Sequence, residues 1–166
     1  MLVGPGFEDL EFWAVYMRVA EEKADIRVMG LNAGERYTSK NGGLTAFAEY
    51  GPRDLKADDL DALLIPGGWA PDKLRRIPEY LQLIRDMDAA GKIVGFICHA
   101  GWLAASAGVV SGRKATGSAG IADDMVNAGA QWVDEPAFID GNFVWGRVVA
   151  DIPDYNAAVI HAIAEA

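Results

Sequence analysis

Cysteine is nearly absent from this chain: Cys98 is the only one in 166 residues. One thiol cannot close an internal disulfide or build a cysteine-cluster metal site, and it suits a reducing compartment, so a cytoplasmic protein is expected. Histidine is almost as scarce. Only His99 and His161 occur, and no accepted ligand spacing joins them to Cys98 and the scattered carboxylates, so neither a metal nor a cofactor is expected. Basic charge is also short, with 15 Lys+Arg against 24 Asp+Glu and a formal net charge of −9. A surface of that sign repels phosphate backbones and anionic lipid, which argues against nucleic acid and membranes as partners. No Walker A sequence exists. Gly4-Pro5-Gly6 starts like a dinucleotide fingerprint, but Asp9 stands where its last glycine belongs. The amino terminus has no basic region followed by a long apolar one, so no signal peptide is expected. The longest uncharged run, the 18 residues from Ile93 to Val110, carries His99 near its middle and is interrupted by Gly95, Gly101 and Gly108. A buried strand running into a buried helix explains it better than a membrane span.

What is present reads as one globular domain over residues 1–166, with 51% apolar and 23% charged residues. Short apolar strands alternate with amphipathic helices, the pattern of an α/β three-layer sandwich around a mostly parallel sheet. Leu2-Val3 reads as the tail of a first strand, followed by a helix from about Glu8 to Glu22 with Leu10, Trp13, Ala14 and Met17 on its inner face. Ile26–Leu31 is a second strand. Asn41-Gly42-Gly43 turns a hairpin between Tyr37–Ser39 and Leu44–Phe47. Ala62–Ile65 and Ile93–Ile97 are buried strands, each followed by a helix, and Asp140-Gly141 turns a second hairpin before a last helix opened by Pro153.

Parallel sheets bind ligands beyond the carboxyl ends of their strands, and Gly4–Glu8, Pro66–Asp72 and Cys98–Gly101 all arrive there. Cys98 sits at a strand-to-helix junction, where the helix amino terminus favours the thiolate, the form that attacks. The bland alternative is a small buried hydrophobe. His99 beside it favours chemistry, since a histidine is costly to bury without a partner. Glu8 either serves the helix dipole or meets the sulfur as a hydrogen-bond and proton partner; Asp72 either starts a helix or joins the site. The Pro66-Gly67-Gly68 turn presents free N–H groups suited to an oxyanion. Trp69 and Trp102 flank the region and either line a pocket or pack the core. His161 reads as a surface or packing residue.

The stretches Gly6-Phe7-Glu8-Asp9-Leu10-Glu11, Pro66 to Arg75, Ile97-Cys98-His99 and Ile121 to Ala130 together resemble the DJ-1/PfpI superfamily, on the side of its PfpI-like intracellular protease/amidase branch. The likeness runs through nearly the whole chain in the right order. It implies a flavodoxin-like, glutamine-amidotransferase-like sandwich with Cys98 as nucleophile on a strained elbow, His99 beside it, Glu8 as the acid hydrogen-bonded to the thiol, and the amides of Gly68 and His99 as the oxyanion hole. Asp72 falls where such members carry a carboxylate, usually Glu, that reaches the histidine of a neighbouring subunit. The resemblance further implies a homodimer or homohexamer acting on a small-molecule carbonyl or a peptide.

The chain departs from the family pattern in places. The usual Cys-His-Gly-Pro reads Cys98-His99-Ala100-Gly101, Ser118 replaces a tyrosine near the pocket, and the late Ser-Arg-x-Pro-x-Asp-Leu stretch reads Gly146 to Ile152. Family members also begin with more of the first strand, so a longer natural amino terminus is expected. The expected function is a cysteine-dependent hydrolase, or a glyoxalase or deglycase, acting on a reactive carbonyl or amide. The alternative is a non-enzymatic redox-sensing protein that uses the same oxidisable thiol.

Overall fold

A computed structural model describes Met1–Ala166 throughout. The element that opens the chain is helix α1 (Asp9–Glu21), followed by the hairpin β1 (Glu35–Thr38) and β2 (Thr45–Ala48). Strand β3 (Ala62–Ile65) leads through α2 (Ala70–Leu74) and α3 (Pro78–Ala89) to β4 (Ile93–Ile97). A tight turn over Cys98–Ala100 starts α4 (Gly101–Ala107), and β5 (Lys114–Ala115), α5 (Ala122–Asn127) and β6 (Gln131–Trp132) follow. The chain closes with the hairpin β7 (Ala137–Asp140) and β8 (Phe143–Gly146) and with helix α6 (Ile152–Ala164).

The central sheet runs β3-β4-β8-β7, parallel except for the β7 edge. Residues 1–3 extend it on the other side, with Leu2 N–H donating to Leu64 O at 3.0 Å and Val3 N–H to Met29 O at 2.8 Å. The expected second strand is reduced to bridges at Met29, which pairs with both Leu2 and Tyr50. Helices α1 and α6 pack on one face and α3 and α4 on the other, giving the three layers expected. β4 is buried at every residue because helices cover both faces, which is why its sequence is a continuous apolar run rather than an alternation. The uncharged stretch 93–110 is therefore a core strand and a core helix. No helix of the protein is long and apolar enough to cross a membrane.

The inner face of α1 differs from the one expected. Glu11, Phe12, Val15 and Val19 are buried and the expected Trp13 and Ala14 are half-buried against the core, whereas Leu10 is 50% and Met17 62% exposed. Two apolar stripes compete on this helix, and packing against the sheet selects the one that carries Glu11.

Candidate active site

The site is assembled where β3 and β4 end. β4 stops at Ile97 and the chain reverses into α4 within one turn, which forces Cys98 to φ +60°. An L-residue in the left-handed region costs about 1–2 kcal/mol, and the buried segments on either side hold it there. Cys98 remains only 9% exposed. Its Sγ lies 3.1 Å from His99 Nδ1, and the amides of Gly68 and His99 donate toward the sulfur.

Both glycines of the β3 turn are required. A Cβ at Gly67 would come within 2.7 Å of Cys98 Cβ and of Glu11 Oε2. At Gly68, with φ +76°, a Cβ would meet Glu8 N and Gly6 O at 2.5 Å. Close backbone approach, not turn propensity alone, explains the Gly-Gly pair.

The acid at the thiol is Glu11, which corrects the expectation for Glu8. Glu8 is the N-cap of α1, and its Oε2 accepts the N–H groups of Leu10 at 2.8 Å and Glu11 at 2.9 Å. A carboxylate turned back onto helix amides satisfies donors that the helix itself leaves open, so it is not available to the sulfur. Glu11, three residues on, projects from the packed face instead. Its Oε2 accepts Gly67 N–H at 2.8 Å, and the carboxyl group also hydrogen-bonds the Cys98 thiol. Sequence reading misses it because the stripe of α1 expected to face inward is the other one; a carboxylate in register with Phe12, Val15 and Val19 is the available signal.

Burial pushes Glu11 up to about 7, against the Gly67 hydrogen bond that stabilises its charge. Burial also pushes the Cys98 thiol up, and an ionised Glu11 beside it adds to that; the Gly68 and His99 amides pull the other way. Two buried anions in contact are unfavourable, so near neutral pH the pair retains at least one proton while Glu11 exchanges another. Burial, then the charge of Lys40, lowers His99, which leaves a neutral imidazole against the sulfur.

The remaining residues border this centre. The Trp102 ring meets the His99 ring at 5.2 Å in an edge arrangement, donates through Nε1 to Asp124 at 2.7 Å, and lies under Arg75 at 5.4 Å. Ser118 N–H donates to Cys98 O at 3.2 Å, holding the 117–120 segment against the elbow. Trp69 packs against Gly6 yet is 65% exposed, so it walls the approach rather than filling the core. Asp72 is held by Arg76 in a two-oxygen pair at 2.9 and 2.8 Å, on the surface of α2. His161 lies on the exposed side of α6. The second residue that sequence reading misses is Lys40, whose charge bears on both Glu11 and His99.

The arrangement supplies a nucleophile, two amides for an oxyanion, a carboxyl group that gains and loses a proton near neutrality, and a neutral imidazole. Comparisons with known proteins concern the chain as a whole. The profile of the DJ-1/PfpI family matches residues 1–162. A deglycase of Pyrococcus abyssi is 38% identical over 146 residues, 88% of this chain and 87% of that protein. The Escherichia coli protein/nucleic acid deglycase 2 is 30% identical over 164 residues, 98% of this chain and 95% of that protein. A solved two-domain protein of Anabaena variabilis, with DJ-1/ThiJ/PfpI-like and ferritin-like domains, superposes at a TM-score of 0.96 and 31% identity. That match covers 98% of this chain and 47% of that one, so the chain spans about half of its length.

Proposed function

The chain belongs to the DJ-1/PfpI family, and on that premise we propose that it is a cysteine-dependent enzyme of deglycase or glyoxalase type, acting on reactive carbonyl compounds through Cys98. The observation that carries this reading is the elbow itself: a strained, buried cysteine in contact with His99, two backbone amides and the Glu11 carboxyl group.

On a 2-oxoaldehyde, Cys98 Sγ gives its proton to Glu11 as it bonds to the aldehyde carbon. The carbonyl electron pair moves to oxygen, and the resulting oxyanion rests on the Gly68 and His99 amides. Reprotonation yields a hemithioacetal. His99 or Glu11 then carries the proton of that carbon to the neighbouring carbonyl carbon through an enediolate, while the hydroxyl proton passes to the neighbouring oxygen, which leaves a 2-hydroxy thioester. Water cleaves the thioester, releasing a 2-hydroxy acid and restoring the thiol. The sequence is an internal oxidation and reduction that consumes one water, so no external redox partner is needed. A glycated amine or thiol would enter the same path when Cys98 bonds to its carbonyl-derived carbon and the protonated amine or thiol leaves, giving the same hemithioacetal.

The acting unit in this reading is a homodimer or homohexamer. Leu10, Met17 and Trp69 are large apolar side chains left exposed in one chain, which a second copy would cover. Asp72, outside the centre within one chain, would then act across that boundary. A lone thiol of this kind suits the cytoplasm, where it stays reduced.

Methylglyoxal consumption and lactate formation test the reading, with a chromogenic peptide amide assayed in parallel. Turnover should vanish in Cys98→Ala. Wild-type rates no higher than those of Cys98→Ala on every substrate would refute it.

A further inference from the structure

The tip of the β1–β2 hairpin is clamped over the site. Lys40 N–H donates to Phe7 O at 2.8 Å, and Gly6 N–H to Thr38 O at 2.9 Å. Phe7 in turn bridges Gly68, the oxyanion glycine. On either side of Lys40, Ser39 Oγ at 2.6 Å and Asn41 Nδ2 at 2.9 Å donate to the buried carboxylate of Asp9, the first residue of α1. The backbone of Lys40 is therefore fixed relative to the nucleophile elbow, although it belongs to a turn.

Its side chain is exposed and joins none of the protein's ion pairs. Asp9, the acid beside the tip, is occupied by Ser39 and Asn41 instead. The two arginines that follow α2 are engaged: Arg76 holds Asp72, while Arg75 lies over Trp102 and donates to Ser106 at 2.9 Å. Lys40 thus offers an ammonium without a protein partner, on a backbone pinned to Phe7 next to the Phe7–Gly68 bridge, in a chain of net charge −9. A cation on an anchored backbone, without a protein partner and beside a catalytic centre, is suited to an anion carried by the substrate.

We propose that Lys40 binds an anionic group of the substrate, so that the preferred substrates are 2-oxoaldehydes carrying a carboxylate or phosphate beyond the dicarbonyl unit. This rests on the carbonyl-directed reading of Cys98 and adds the substrate's charge to it. The ammonium contacts the substrate's anion and takes no part in bond making.

The test compares kcat/KM for 4,5-dioxopentanoate, for 3-phosphooxy-2-oxopropanal and for neutral methylglyoxal, in wild type, Lys40→Met and Lys40→Arg. Wild type should favour an anionic probe over methylglyoxal. That preference should fall roughly tenfold in Lys40→Met, chiefly through KM, and return in Lys40→Arg, as expected for one charge-assisted contact. Added salt should weaken it in wild type more than in Lys40→Met. Whichever anionic probe loses more identifies carboxylate or phosphate as the group bound. An anion preference unchanged in Lys40→Met overturns the inference. So does an equal loss on all three probes, which would assign Lys40 to setting the charge of Glu11. Absence of turnover on every probe in wild type refutes the catalytic reading itself, and this inference with it.

Discussion

Replacing Glu11 by glutamine tests the assignment of the acid. The amide side chain keeps the size of the original and an oxygen for Gly67 N–H, which Glu11 accepts at 2.8 Å, but it has no proton to exchange. Folding raises the Glu11 pKa from 4.5 to about 7 through burial, and the residue is only 1% exposed. The folded state therefore favours the neutral acid. Its stabilising contribution is complete below about pH 4.5 and is lost as pH rises through about 7. A rise of that size corresponds to about 3 kcal/mol, or roughly 6–12 °C in Tm for a chain of this length. Wild type should lose that much against Glu11→Gln between pH 4 and pH 8, as read by scanning calorimetry. Turnover of methylglyoxal should fall by about 10²–10⁴, the usual loss when a positioned acid–base group is removed. Glu8→Ala is the control: it removes an N-cap and should cost about 1 kcal/mol of stability, with little loss of turnover in the folded fraction. If Glu11→Gln stays within about threefold of wild-type turnover while folded Glu8→Ala is inactive, the assignment of the acid is wrong.

Two further predictions concern the elbow and the surface of α2. Because Cys98 is held at φ +60°, Cys98→Gly should be more stable than Cys98→Ala by about 0.5–1 kcal/mol after the entropy of glycine in the unfolded chain is counted; equal melting temperatures would mean that the turn stores no strain. Asp72→Asn loses only an exposed pair with Arg76 and should cost no more than about 0.5 kcal/mol, while turnover falls about tenfold if a second copy brings the carboxylate to the site. Unchanged turnover would remove Asp72 from the machinery.

The alternation of strands and helices and the place of Cys98 were legible from local pattern. β3 and β4 are short apolar runs closed by turn residues, and the junction after Ile97 lies inside a single peptide stretch. Glu11 was not legible in the same way. Leu10, Trp13, Ala14 and Met17 form a stripe as apolar as the one that is buried, and a helix read alone has no means of choosing between them. The choice is made by the sheet, through Gly67, which lies 56 positions further along the chain. Lys40 was hidden for the same reason, since only the bonds to Phe7 and Asp9 show that a hairpin tip overhangs the elbow.

The scarcity of cysteine had already confined thiol chemistry to one residue, and the segment around Cys98 places that residue at the end of a buried strand. Local sequence could do this because a strand, a turn and a helix start are decided by neighbouring residues. The acid that shares a proton with the sulfur, the left-handed backbone at Cys98 and the free cation over the site depend on contacts between distant segments. Those contacts exist only after the layers have packed, and the tertiary structure alone decided them.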